Sequence, residues 1–258
     1  GYMHDFRISK GLARYPYISK PVTLTQTNSG MEKPDGTTPT ATASNTKLLA
    51  FTTSTITAEG SASPHTLTAS GSAASSLLSP ATGMHSAYFA NGDADFVSAP
   101  ASADHQIYGG DYTVEAWLYP TAFNASFNYF LSKGGSPSAR EWAFSISASD
   151  IRAYWSTNGA SSGDTAISAS CTNHLNRWVH VAFVKSGTAI TIYKNGSFIS
   201  SGTFNSIHSG NGVLTISRLW QYTGISHSYD GYISNLRIVK GQALYSKNFT
   251  PLTTALKG

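Results

Sequence analysis

The sequence predicts an all-β fold, a sandwich or a barrel. Three observations carry this. Short runs of β-branched and aromatic residues recur at short spacing, each bounded by Gly, Ser, Asn or Asp. One of them, Ala189 to Ser200, has Asn195-Gly196 at its centre. Asn-Gly accepts the positive φ angles of a type I′ turn, which matches the twist of two paired strands. No long stretch shows the 3.6-residue apolar period of an amphipathic helix.

The elements follow in order. Gly1 to Tyr15 contains an alternating strand that Pro16 and Pro21 end. Residues 16–44 are rich in Thr, Ser, Asn, Gly and Pro, and read as a linker or extended arm. Asn45 to Phe51 opens the next strand, and His65 to Ser70 is another. Ser86 to Phe89 runs into the turn Asn91-Gly92-Asp93 and on to Phe96-Val97-Ser98. Tyr112 to Tyr119 alternates, with Val114, Ala116 and Leu118 on one face and Thr113, Glu115, Trp117 and Tyr119 on the other. Pro120 is expected to stop it. Phe127–Ser132, Glu141–Ser147 and Ile151–Ser156 come next. Trp178 to Lys185 is apolar on both faces, as a central strand would be. The Asn195-Gly196 hairpin, then Val213 to Ser217 and a Trp- and Tyr-bearing loop, lead into the closing segment from Tyr229.

Composition narrows the function. The 258 residues suffice for one large all-β domain or two small ones. Hydrophobic residues make up 40%, enough for a real core, but charged residues only 12%, about half the usual share. Such a surface suits a neighbouring subunit or a glycan. The net charge of +4 is spread along the chain without a basic cluster. Phosphate tracking needs concentrated charge, so nucleic-acid binding is disfavoured. The single cysteine, Cys171, precludes an intrachain disulfide and reads as a small buried hydrophobe. No apolar run approaches the ~18 residues of a membrane-spanning helix.

An internal repeat organises the chain. Gly1 to Tyr15 aligns without a gap on Gly231 to Tyr245, with Gly, Tyr, Arg, Ile, Lys, Gly, Ala and Tyr at eight of fifteen shared places. We read residues 1–15 as the closing strand of a preceding repeat unit, 16–44 as the arm, and 45–258 as one complete unit that closes the same way.

A set of motifs in fixed order carries a family resemblance. They are Tyr88 to Asp93, Tyr112 to Trp117, Trp178 to Ala182, Tyr193-Lys194-Asn195-Gly196 and Asp230 to Ile238. The set resembles the laminin-G-like, concanavalin A-like lectin/glucanase jelly-roll family over about residues 45–250. The tail, Lys240-Gly241-x-Ala243-x-Tyr245 before Asn248-Phe249-Thr250-Pro251, resembles versions repeated in tandem in phage virion structural proteins. The resemblance implies a two-sheet antiparallel jelly-roll sandwich that often binds glycans and often carries a structural Ca²⁺. It also implies a virion or extracellular setting, with other virion or surface-protein subunits and a cell-surface glycan as partners. Relatives put acidic residues just after the Gly-Tyr-Ile of the closing strand, where this chain has Ser234 and Asn235. Glu59 stands where relatives often have Asp, and Asp93 and Asp95 form a short Asp-x-Asp. These three are the candidate oxygen ligands for Ca²⁺, which takes six to eight oxygens.

Catalytic patterns are weak. Glycoside hydrolysis needs two carboxylates about 5–10 Å apart. Glu115 is the only acid within an apolar strand and reads as a hydrogen-bonded sheet-face residue. There is no Gly-x-Ser-x-Gly elbow and no zinc spacing among the eight His. Cys171 and His174 sit in a turn-like segment and make a poor dyad.

Aromatics are the better guide, because sugar rings stack on exposed aromatic faces. Trp117 and Trp178 read as core. Trp220 and Tyr222 occupy a loop that relatives fill with small polar residues. An exposed Trp forfeits about 2–3 kcal/mol of burial unless something covers it. That cover is a ligand, another subunit or the chain itself. Trp155, next to Tyr154, reads as core or sheet face ahead of a ligand contact; with His227 and Tyr229 it joins Trp220 and Tyr222 in the candidate ligand-binding set. The sequence thus predicts a non-catalytic adhesion module of a virion. A bacterial surface adhesin and a polysaccharide-degrading enzyme are the alternatives.

Overall fold

The computed structural model describes residues 41–90, 95–124, 126–135, 138–204, 206–219 and 227–256. Alternating side chains build two antiparallel sheets around a shared apolar interior. The first strands are β1 (Thr46–Ala50), β2 (Thr68–Ser70), β3 (Ala74–Ser76), β4 (Ser86–Phe89) and β5 (Phe96–Ala99). The middle of the chain forms β6 (Tyr112–Ala122), β7 (Asn128–Gly135), β8 (Ala139–Ile146), β9 (Asp150–Ser156) and β10 (Asp164–Ser170). The last are β11 (Val179–Ser186), β12 (Ala189–Lys194), β13 (Ser197–Thr203), β14 (Val213–Ile216) and β15 (Asp230–Lys240). Sheet I has the order β13-β12-β11-β6-β15-β4-β3, with β1 also paired to β15. Sheet II has the order β10-β9-β8-β7-β14-β5-β2. Helix is confined to three-residue 3₁₀ turns among the described residues. No described helix is long and apolar enough to cross a membrane.

The interior follows from the pleat. Val114, Ala116 and Leu118 of β6 point inward, and so do Trp142, Phe144 and Ile146 of β8. Phe144 of sheet II meets Phe183 of sheet I with ring centres 4.3 Å apart. The all-β, two-sheet expectation therefore holds, and most strands lie within a few residues of their predicted places. The hairpin is as expected: Asn195 and Gly196 have φ of 50° and 76°, and link β12 to β13.

Three strands differ from the sequence reading. β6 continues through Pro120. Proline has no N–H to donate, but β11 pairs with β6 only as far as Leu118, and Pro120 faces Gly231 at a bulge in β15. Gly231 has a φ of 137°, and a Cβ there would stand 2.1 Å from the Tyr119 carbonyl oxygen. The approach of the two backbones therefore requires glycine. β3 and β10 went unread because their sequences, Ala-Ser-Ser and Asp-Thr-Ala-Ile-Ser-Ala-Ser, offer almost no bulky apolar side chain.

After β15 the chain turns back across the outer face of sheet I. Leu244, Tyr245, Phe249 and Leu256 pack there on Ala182, Val184 and Tyr193. This is why β11 is apolar on both faces. Trp117 and Trp178, expected in the core, lie half-buried instead. Trp117 belongs to this outer face, where its Nε1 donates to the Leu252 carbonyl at 3.0 Å. Asn235 serves the same closure, and its neighbour Ser234 ties β15 to the segment before β4. Asn235 sits at φ 49°, and its side-chain oxygen accepts the Leu256 N–H at 2.7 Å, while Ser234 Oγ donates to the His85 carbonyl at 2.5 Å.

The expected closing strand Gly1–Tyr15 and the arm up to residue 40 lie outside the described residues, as do Asp93, Trp220 and Tyr222.

The strap yields a test. Phe249 N–H donates to the Gly196 carbonyl at 2.9 Å, and a Cβ on Gly196 would fall 1.7 Å from the Phe249 oxygen. Gly187 has a similar φ, 58°, with nothing within 4 Å. Both Ala substitutions incur the left-handed cost of about 1–2 kcal/mol. Gly196→Ala must also lift the strap, so its urea midpoint falls further than that of Gly187→Ala. Equal midpoints would show that the strap contributes nothing.

Candidate functional site

Each sheet has an outer face, and the two are used differently. That of sheet I is sealed by the strap, and its centre is Glu115. Strand pairing sets Arg237 of β15 directly across from Glu115. Arg237 donates to Oε1 through Nε at 2.8 Å and through Nη2. Tyr245 OH donates to Oε2 at 3.0 Å, and His180 Nε2 lies 3.2 Å from the same oxygen. The carboxylate is fully buried. Burial pushes its pKa up, but Arg237 and the His180 contact outweigh this and hold it at about 2. A carboxylate so saturated has no site for a substrate. Lys133 and Glu141 make a second buried pair at 2.6 and 2.7 Å, with Gly212 N–H also on Glu141 at 3.0 Å.

The metal candidates are likewise engaged. Glu59 accepts from the N–H groups of Leu49, Ser61 and His65 and from the Ser61 hydroxyl at 2.7–3.1 Å. Four donors converge where a cation would need acceptors. Asp95 is buried, with Oδ1 accepting from Ser72 N–H at 2.5 Å and Oδ2 from Ala90 N–H at 3.0 Å. Among the described residues no group of three or more His, Cys, Asp or Glu could hold a metal ion. Burial also pushes the Cys171 thiol up, away from the thiolate form a nucleophile uses.

The outer face of sheet II is different. Phe127 just before β7, Tyr129 at its start, Tyr154 and Arg152 on β9, and Ala166 on β10 share it with Leu219. Arg140 and Asp164 lie beside them, with Nη1 of Arg140 at 2.5 Å from Oδ2 of Asp164 and 3.3 Å from Tyr154 OH. Burial pushes the hydroxyls of Tyr129 and Tyr154 up, Tyr154 beyond the ordinary phenol range. Both therefore stay neutral donors. Tyr129 also feels Arg152, Asp164 and Arg140, so these charges converge on one place.

The predicted ligand set divides here. His227 lies on this face, its ring stacked on Tyr129 with centres 6.2 Å apart. The loop carrying Trp220 and Tyr222 begins after Leu219 and ends before His227, so both its anchors touch this face. Trp155 and Tyr229 do not belong to the set. Trp155 points inward from β9, next to outward Tyr154, and packs on Phe204 at 4.8 Å. Tyr229 is core, with its OH donating to the Tyr232 carbonyl at 3.2 Å. Phe127, Tyr129, Arg140, Arg152, Tyr154 and Asp164 were missed. Their signal was present in the alternation Arg152-x-Tyr154 against Ile151, Ala153 and Trp155.

The Glu115 cluster makes stability pH-dependent. Its folded pKa, about 2, lies below its unfolded value near 4.5. The contribution is therefore complete above pH 4.5 and is lost as pH falls towards 2. Glu115→Gln leaves Arg237 buried without its anion and destabilises the fold by about 3–5 kcal/mol at pH 7. Urea unfolding at pH 7, 5 and 3 should show the gap from wild type narrowing below pH 4.5. A constant gap would refute the assignment.

Comparison with known proteins agrees with this architecture. The binding domain of Paraclostridial Mosquitocidal Protein 1 is similar, with a TM-score of 0.60 at 12% identity over 78% of this chain and 50% of that one. The binding domain of botulinum neurotoxin serotype G gives 0.57 at 14% identity, over 78% and 49%. A botulinum neurotoxin type C structure, whose cell entry depends on interaction with two ganglioside molecules, gives 0.57 at 13%, over 78% and 49%. The chain thus spans about half the length of each of these structures, and the likeness is one of fold. No curated protein sequence matches the chain. A family model described as the concanavalin A-like lectin/glucanases superfamily matches residues 91–246. With two antiparallel sheets in jelly-roll arrangement and more than half its length matched, the chain belongs to the concanavalin A-like lectin/glucanase superfamily.

Proposed function

We propose that this chain is a non-catalytic binding module that holds a glycan on the outer face of sheet II, as an adhesion unit of a virion surface structure. The observation that carries this is the contrast between the two outer faces. One is sealed by the chain's own strap; the other gathers Phe127, Tyr129, Tyr154 and His227 with two arginines and an aspartate. Aromatic rings supply stacking surface, and the polar groups at their edges supply hydrogen bonds to hydroxyls.

Several features support binding over hydrolysis. Asp164 pairs with Arg140, Glu115 and Glu141 are buried in ion pairs, and Glu59 and Asp95 accept backbone N–H groups. A glycosidase needs two carboxylates free to face one bond. The similar solved structures are binding domains, one of them in complex with rat synaptotagmin II. The virion setting and a tandem arrangement rest on the repeated closing segment at Gly1–Tyr15 and Gly231–Tyr245.

A glycan array with and without EDTA tests the reading. The face uses rings and fixed charges, so binding survives the chelator. Phe127→Ala, at a half-buried ring, weakens binding about tenfold, some 1.4 kcal/mol, with the melting temperature close to wild type. Signal lost with EDTA would return the site to Ca²⁺ and to Glu59, Asp93 and Asp95. Binding unchanged in Phe127→Ala would place the site elsewhere.

A further inference from the structure

Two guanidinium groups, Arg140 and Arg152, border the aromatic cluster of sheet II and are treated unequally, while a third on this sheet, Arg218, stands over Phe96, 4.7 Å from its ring centre. Arg140 has a carboxylate partner in Asp164. Arg152 has none among the described residues. Its cross-strand neighbours are Ser145 on β8 and Ser168 on β10, both uncharged. The acid nearest in sequence, Asp150, is occupied by the hydroxyls of Ser149 and Ser170 at 3.0 and 3.3 Å. The Arg152 guanidinium carbon instead stands 4.3 Å from the centre of the Phe127 ring and 5.5 Å from that of Tyr154. Its Nε is shut off from water without a hydrogen-bond partner among the described residues.

This arrangement holds the cation in place while leaving its chemistry unused. Contact with aromatic faces fixes the guanidinium plane. It does not satisfy the in-plane N–H groups, whose fork geometry matches an oxyanion. With Asp164 paired to Arg140 and Asp150 held by two hydroxyls, Arg152 is a cation without an ion-pair partner among the described residues.

We propose that the glycan bound here is acidic, and that Arg152 pairs with an oxyanion on the sugar, a carboxylate or a sulfate, at the edge of the Phe127 ring. This rests on the reading of the sheet II face as a glycan-binding surface and names the class of ligand.

The test uses the full chain on immobilised polysaccharides: polygalacturonate for carboxylate, chondroitin sulfate for sulfate together with carboxylate, and neutral galactan and dextran. Wild type binds at least one acidic polymer about ten- to hundredfold more tightly than the neutral ones, the range expected of hydrogen bonds to a charged group. Arg152→Met, which keeps the apolar stem, abolishes the preference, so that the variant binds acidic and neutral polymers alike. Arg152→Lys, which keeps the charge without the fork, retains part of the preference. Arg177→Gln, an exposed arginine elsewhere, changes nothing. Thermal melting confirms that each variant folds. Equal binding of acidic and neutral polymers overturns the proposal and leaves the glycan-binding face standing. An acidic preference that persists in Arg152→Met overturns the role of Arg152. Absence of binding to every polymer overturns both.

Discussion

A single buried carboxylate, Glu115, sets the terms for the rest of this molecule. It lies on a central strand of sheet I, on the face turned away from the main core. An ion there would be prohibitively costly alone. It is tolerated because partners arrive from three other parts of the chain: His180 from β11, Arg237 from β15 and Tyr245 from the strap. Once those partners are in place, the strap has only one way to lie. Its apolar side chains then cover Ala182, Val184 and Tyr193, and sheet I gains a second hydrophobic layer. The charge contributes specificity of placement, and the surrounding apolar burial contributes most of the energy.

That closure also decides where a ligand can go. A sandwich has two outer faces, and here the chain spends one on its own C-terminal segment. Sheet II keeps its outward aromatic residues, and the two ends of the Trp220–Tyr222 loop attach to them through Leu219 and His227. Outward aromatic and charged groups are thus gathered on the sheet that the strap does not use. Glu59 and Asp95 serve the scaffold instead, accepting N–H groups from Leu49 and His65 and from Ser72 and Ala90.

The architecture was legible in the sequence wherever side chains alternate in size. Val114, Ala116 and Leu118 announced the inward face of β6, and Asn195-Gly196 announced its hairpin. Strands built from small residues, such as β3 and β10, were not legible because their pairing is dictated by neighbours. The site was half legible. Alternation separates Tyr154 from Trp155 but does not say which of the two faces inward; that depends on which sheet the strand joins. Trp155, read first as core or sheet face, and Tyr229 both turn out to face the interior. Glu115 was correctly read as a hydrogen-bonded sheet-face residue. Its partners could not be found, because Arg237 is 122 positions away and Tyr245 is 130.

Those separations have a consequence for how the chain acquires its structure. A polypeptide synthesised only as far as residue 236 contains Glu115 and His180 but neither Arg237 nor Tyr245, and it lacks the segment that covers this face. The sheet I strands then exist without their central counter-charge, in a state with an acid facing water and an uncovered apolar layer. Folding is thereby tied to the arrival of the last twenty or so residues, which favours a late, concerted step over gradual growth along the nascent chain.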